Sequence, residues 1–315
     1  ETKKANTYDA IVIGSGISGG WAAKELCEKG LKTLVLDRGR MVKHVEDYPT
    51  AMWNPWDMPH RGRLPKEEQD RYVSFVREDT KHWYIYEDEH PFIQKKPFRW
   101  VRGYHVGGKS IMWGRHCYRL SDLDFEANAK DGFGVDWPIR YKDIAPWYTY
   151  VEKFAGIQGM PEGLAQLPDS SFLPAMELNC VENHLREKIA EHFPRRVLTA
   201  GRTANLTQPH NGRGKCQYRN LCKRGCPYGG YFSSNAATLP AAEKTGNMTI
   251  RPFSIAAEIL YDKDQKRATG VRVIDTNIKE SMEFYAKIIF CCASTVATTQ
   301  ILLQSVSGAF PEGLG

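Results

Sequence analysis

The first sustained run of apolar positions, residues 8–13 (Tyr-Asp-Ala-Ile-Val-Ile), reads as a short buried strand. Gly14-Ser15-Gly16-Ile17-Ser18-Gly19 follows at once. From Ile17 to Lys29, the apolar Ile17, Trp21, Ala22 and Leu26 recur at helical spacing, and residues 32–37 return to a strand pattern that ends in an acid. Strand, glycine turn, helix and strand close a βαβ unit of the length a dinucleotide-binding half requires.

From 38 to 100 the pattern loses its period. Prolines, tryptophans and charges mix, as in Trp53-Asn54-Pro55-Trp56, and all eight tryptophans lie before residue 148. A second glycine turn, Gly103 to Gly108, leads into residues 110–119. Residues 143–155 and 181–192 carry amphipathic helical spacing. Short strands are expected at 248–251, 256–260, 268–275 and 288–292, with 262–267 as the hairpin turn between two of them. A last helix spans 295–304. The uncharged run 288–311 holds Ser294, Thr295, Thr298, Thr299, Gln300 and Gln304, which hydrocarbon would penalise. It therefore reads as a buried strand and helix, not a membrane span.

With 315 residues, of which 42% are hydrophobic, the chain can bury a sizeable core, which excludes disorder and a disulfide-held miniprotein. Its 43 Lys and Arg against 37 Asp and Glu give a net charge of +6. No basic block exceeds a pair, so no nucleic-acid partner is expected. The polar start, residues 1–7, leads directly into a strand, so the chain is expected to be cytosolic or to have lost its signal.

The glycines of the first turn have separate tasks. Gly14 makes the tight turn out of the strand, Gly16 lets backbone approach a pyrophosphate, and Gly19 lets helix and strand pack closely. The helix N-terminus then faces the phosphates. Asp37 stands where a carboxylate accepts hydrogen bonds from both ribose hydroxyls, and its charge would repel a 2′-phosphate, disfavouring NADP. FAD and NAD share this fingerprint.

A second cluster is Cys216, Cys222 and Cys226, spaced C-x5-C-x3-C and followed by Pro227. Three thiolates at this spacing suit an iron–sulfur centre, with Lys215, Arg219, Lys223 and Arg224 offsetting its charge. Zinc held with His210, or a disulfide plus a free thiol, uses the same residues.

Residues 102–119, Asp136-Trp137-Pro138-Ile139 and Cys291-Cys292-Ala293-Ser294-Thr295 decide between the two dinucleotides. Together with the fingerprint they resemble the glucose–methanol–choline (GMC) family of flavoproteins, in the family's order and over almost the whole chain. The resemblance implies an α/β fold in which a discontinuous Rossmann-like FAD-binding domain joins an α+β substrate domain, both incomplete in this chain. The expected divisions are a βαβ unit at 1–40, an aromatic-rich FAD-covering region at 41–100 and a flavin-contacting segment at 101–135. A substrate-domain part with the cysteine loop follows at 136–235, and the FAD-binding domain continues at 236–315. To Gly14, Gly16, Gly19 and Asp37 the resemblance adds Ile17, Arg38, Gly107, Gly108, Ser110, Trp113, Ala256 and Ala293 as cofactor-binding residues. Family members that carry flavin covalently do so on a histidine, and Met112 stands in that place, so the FAD is expected to be non-covalent. Sugar dehydrogenases of the family carry three cysteines in the same interval on a [3Fe–4S] cluster, which implies that role for Cys216, Cys222 and Cys226.

The activity this implies is hydride transfer from a sugar or glycoside hydroxyl, that at C3 being the nearest match, to FAD. Electrons would then pass through the cluster to a cytochrome c or another acceptor. The family's base pair, His/His or His/Asn, is expected beyond residue 315, in a C-terminal remainder of the enzyme. A small subunit that carries a signal implies a periplasmic location, and without such a partner a cytoplasmic one. Two other readings share the dinucleotide site. One is an oxygen-using pyranose or alcohol oxidase with zinc or a disulfide at the cysteines, the other a non-catalytic dinucleotide-binding subunit.

Overall fold

The computed structural model describes residues 6–72 and 75–314; the polar start at 1–5 lies outside them. Its helices of seven residues or more are α1 (Ile17–Glu28), α2 (Tyr141–Ala155), α3 (Cys180–His192), α4 (Thr238–Lys244) and α5 (Thr295–Gln304). Its strands are β1 (Thr7–Ile13), β2 (Thr33–Leu36), β3 (Met248–Arg251), β4 (Ser254–Asp262), β5 (Arg267–Asp275) and β6 (Ser281–Cys291). No helix among the described residues is long and apolar enough to cross a membrane.

The chain forms two compact units. The first comprises residues 1–113, 221–227 and 233–315, and the second residues 114–220 and 228–232. Cys216 therefore belongs to the second unit, and Cys222 and Cys226 to the first.

In the first unit one sheet runs in the order β3-β2-β1-β6-β5-β4. β1, β2, β3 and β6 are parallel, and β4, β5 and β6 form antiparallel hairpins. β1 is apolar on both faces because both are covered, as parallel strands require. Ile11 and Ile13 pack with Leu34, Leu36, Val271, Val273 and Ile301 on one side. On the other, Ala10, Val12 and Val35 meet Ala23, Leu26 and Cys27 of α1 and Ala242 of α4. Gly30, at φ 81°, ends the first crossover helix in the left-handed region where glycine costs nothing. The 262–267 turn forms as expected, with the Asp262 carboxylate accepting the Asp264 and Gln265 amides at 2.9 Å.

β6 begins seven residues before the expected strand and β4 two before; the added stretch of β6 interleaves polar and apolar positions and pairs antiparallel with β5. Helix α4 was not anticipated; seven residues with Pro240 inside give too little periodicity to read. Residues 41–100 contain short 3-10 turns around a cluster of Val42, Tyr48, Ala51 and Trp83, which Ile111 and Met112 join.

In the second unit α2 ends at Gly156 (φ 77°). Arg119 is buried against Glu152, with Nη2–Oε2 at 2.5 Å and further bonds to Tyr141 (2.8 Å) and Thr149 (2.9 Å). Arg202, 1% exposed, is held likewise by Glu162 (2.8 Å) and Asp169 (2.7 Å).

Candidate functional site

At the C-terminal ends of β1, β2 and β6 the first unit opens into a cavity of about 730 Å³. Open parallel sheets bind ligands at this end, outside the carboxyl ends of the strands. Of the expected cofactor residues, Gly14, Gly16, Ile17, Asp37, Arg38, Gly108, Ser110, Trp113, Ala256 and Ala293 line it. Gly19 and Gly107 do not; both are buried, and a Cβ on either would stand 1.7 Å from a neighbouring oxygen.

The three fingerprint glycines differ as their tasks require. A Cβ on Gly14 (φ 93°) would stand 2.6 Å from the Cys292 carbonyl oxygen, and one on Gly19 would stand 1.7 Å from the Gly14 carbonyl oxygen. A Cβ on Gly16 would meet nothing within 4 Å. The open side of Gly16 is the space a side chain would take from a ligand. It caps α1 without a side-chain hydrogen bond, so the first amides of the helix are not spent on a cap. Gly108 lies against this loop, its absent Cβ 3.3 Å from the Gly16 Cα.

Asp37 is more committed than its position in the sequence implies. Its Oδ2 accepts from the Ser15 hydroxyl (2.5 Å) and amide (3.2 Å), and its Oδ1 from the Gly39 amide (2.9 Å). A carboxylate offers about four acceptor directions, so the expected bonds from both ribose hydroxyls cannot all be added to these. Burial pushes the Asp37 carboxyl above its ordinary value, against the bonds from Ser15 and Gly39 that favour the charged form. Ser110, although it lines the cavity, spends its hydroxyl within the protein: it donates to the Gly107 carbonyl (2.6 Å) and accepts from the Ser234 amide (2.9 Å). The Arg38 guanidinium carbon stands over the Tyr104 ring, 3.8 Å from its centre.

Met112 is buried beside Trp83 and Tyr48 and does not line the cavity, whereas Trp113 does. The only histidine lining the cavity among the described residues is His105. It is 2% exposed, its Nδ1 is 3.1 Å from the Val106 carbonyl, and burial, with Arg40 nearby, lowers its pKa to about 4.

The expected [3Fe–4S] centre is not supported. The described residues hold no group of three His, Cys, Asp or Glu side chains that could bind a metal ion, which applies equally to zinc with His210. All eight cysteines are thiols, so the disulfide reading finds no bond either. Cys216 donates its amide to the Leu206 carbonyl (2.7 Å), and its sulfur accepts the Tyr218 amide (3.4 Å). His210 is turned to the Lys153 carbonyl (2.7 Å). Cys222 opens a 3-10 turn to Arg224, and Gly225 (φ 92°) then packs its backbone on the Tyr48 ring, where a Cβ would come within 2.6 Å. Arg224, expected to neutralise a cluster, is buried and paired with Asp79 at 2.7 Å.

Residues 8–315 match the model of the GMC oxidoreductase family. A 2-methyl-1,2-propanediol dehydrogenase from Mycolicibacterium austroafricanum is 26% identical over 99% of this chain and 53% of its own length. The fructose dehydrogenase large subunit of Gluconobacter japonicus is 25% identical over 97% of this chain and 56% of its own. The chain thus spans about half the length of these curated relatives. In fold it resembles the pyridoxine 4-oxidase of Mesorbium loti, with a TM-score of 0.51 at 18% identity over 94% of this chain and 51% of that one.

Proposed function

The chain belongs to the GMC oxidoreductase family, and from that premise we propose that it holds non-covalent FAD for the oxidation of an alcohol or sugar hydroxyl. The observation that carries this reading is the glycine cradle: Gly16 open to the cavity, at an uncapped helix N-terminus, with Asp37 at the end of the next strand. The amides of that terminus and its partial positive charge suit a pyrophosphate. Asp37 keeps about one free acceptor direction for a ribose hydroxyl. Burial of Met112 away from the cavity supports a flavin held without a bond at that position.

Held by Gly14, Gly16 and Asp37, FAD would supply the acceptor for a hydride from the alcohol carbon. This chain's residues position the cofactor and cover it. Among the described residues they bring no strongly basic histidine to the cavity to take the hydroxyl proton: His105, the one that lines it, is enclosed, and burial makes it a weak base with a pKa of about 4. That base is drawn from outside these residues. No electron route through Cys216, Cys222 and Cys226 is part of the reading, since these donors do not form a metal-binding group. The diol and fructose dehydrogenase relatives support a hydroxyl-bearing substrate, and the second, being named a large subunit, supports a further polypeptide as partner.

The test is to purify the full-length protein that carries this chain, record its visible spectrum and add sugars and simple alcohols without air. Flavin absorbance that bleaches with one of them is the expected result. Protein that contains no flavin and takes up no added FAD would overturn the proposal.

A further inference from the structure

We infer that Ser15, Ser110 and Ser234 form one hydrogen-bonded ring that locks the two glycine turns together, which makes Ser234 a positioning residue for the cofactor. The inference rests on the FAD reading above.

The ring can be followed atom by atom. The Ser234 hydroxyl donates to the Gly16 carbonyl (3.0 Å), and the Ser234 amide donates to the Ser110 hydroxyl (2.9 Å). The Ser110 hydroxyl donates to the Gly107 carbonyl (2.6 Å). The Gly107 amide donates to the Ser15 hydroxyl (2.8 Å), whose own proton goes to Asp37 (2.5 Å). Ser15 and Gly16 are covalent neighbours, so the circuit closes. Each hydroxyl donates once, so every proton has one direction. All three serines are 0% exposed, so no water can substitute for a lost partner.

The consequence for the site comes from the planar trans peptide, in which C=O and N–H point opposite ways. Holding the Gly16 carbonyl towards Ser234 turns the Ile17 amide away from it, and Ile17 lines the cavity. The same device fixes Gly107. Asn235, next to Ser234, donates its amide to the Val42 (2.8 Å) and Val106 (3.1 Å) carbonyls, and its Oδ1 lies 1.7 Å from where a Cβ on residue 107 would be. The Gly16 carbonyl also accepts the Gly20 amide (2.7 Å), so a residue 218 positions away joins the first turn of the helix in fixing the orientation of a phosphate-facing peptide.

The experiment uses the full-length protein as Ser234→Ala, Ser110→Ala and the double variant, with FAD removed and rebound under flavin fluorescence. Each single variant should weaken FAD binding about tenfold, the upper size of one neutral buried hydrogen bond. The double should stay near tenfold instead of reaching about a hundredfold, because either change opens the same ring. Ile11→Val, a core truncation outside the ring, should lower the thermal midpoint while leaving FAD affinity unchanged. Ser234→Ala binding FAD as tightly as wild type, or losses that multiply in the double variant, would overturn the inference alone. Affinity lost equally in Ile11→Val would reduce the ring to general stability and overturn it too. Wild-type protein that takes up no FAD would overturn the functional reading, and the role of Ser234 with it.

Discussion

Gly16 and Gly19 stand three positions apart and fail differently when a methyl is added. Gly16→Ala places its Cβ in open space, so the folded protein should keep its thermal midpoint and lose FAD affinity by at least about tenfold. Gly19→Ala drives a Cβ into the Gly14 carbonyl and should destabilise by about 1–3 kcal/mol, read by denaturant titration. Equal loss of stability in both would contradict the separate tasks. These roles were legible, because a strand, a glycine turn and an acid in order are a local pattern. The hydrogen bonds of Ser15 and Ser234 were not, since a bond across 218 positions leaves no local trace. His105 gives a pH signature. Its pKa falls from 6.5 to about 4 on burial, so the native ring is neutral while the unfolded one takes a proton below about pH 6.5. Its stabilisation is whole above that pH and declines towards pH 4 by up to about 3 kcal/mol. His82, also lowered to about 4, adds in the same window. His105→Gln should flatten the acid limb of a stability–pH curve, and an unchanged limb would refute the assignment.

At the scale of elements, the turn that begins at Cys222 is fastened by charge. Arg224 reaches Asp79 at 2.7 Å and the Trp53 carbonyl at 2.8 Å, both ends of the pair nearly sealed from water. Asp79→Ala leaves that guanidinium uncompensated and should cost about 3–5 kcal/mol in chemical denaturation. Adding Arg224→Met should recover much of the loss, and no recovery would show the pair is not the cause. Elements with a full period, α1 and the β1–β2 pair, were legible from apolar spacing. The cysteine spacing was less informative: C-x5-C-x3-C states how far three thiols can reach and not the path of the backbone between them, where Tyr218, Asn220 and Gly225 all have positive φ.

At the scale of the whole molecule, the sheet is assembled from both ends of the chain. β1 takes β2 on one side and β6 on the other, and every strand after β2 lies beyond residue 247. A chain stopped at Asp275 would lack β6, leaving β1 and β5 without their shared neighbour. That fragment should show no cooperative thermal transition by far-ultraviolet circular dichroism; a native-like melt would refute the dependence.

The pairing of β1 with β6 also sets a waiting time. The Asn6 side-chain amide donates to the Glu283 carbonyl, 277 positions away. At about 5–20 residues per second, β1 emerges from the ribosome roughly a quarter of a minute to a minute before its partner. Through that interval an apolar, two-faced strand has one side unpaired, a template for aggregation. The cofactor cradle that begins this sequence is thus among the last parts of the unit to become competent, and its yield in a cell depends on what shields residues 7–13 until then.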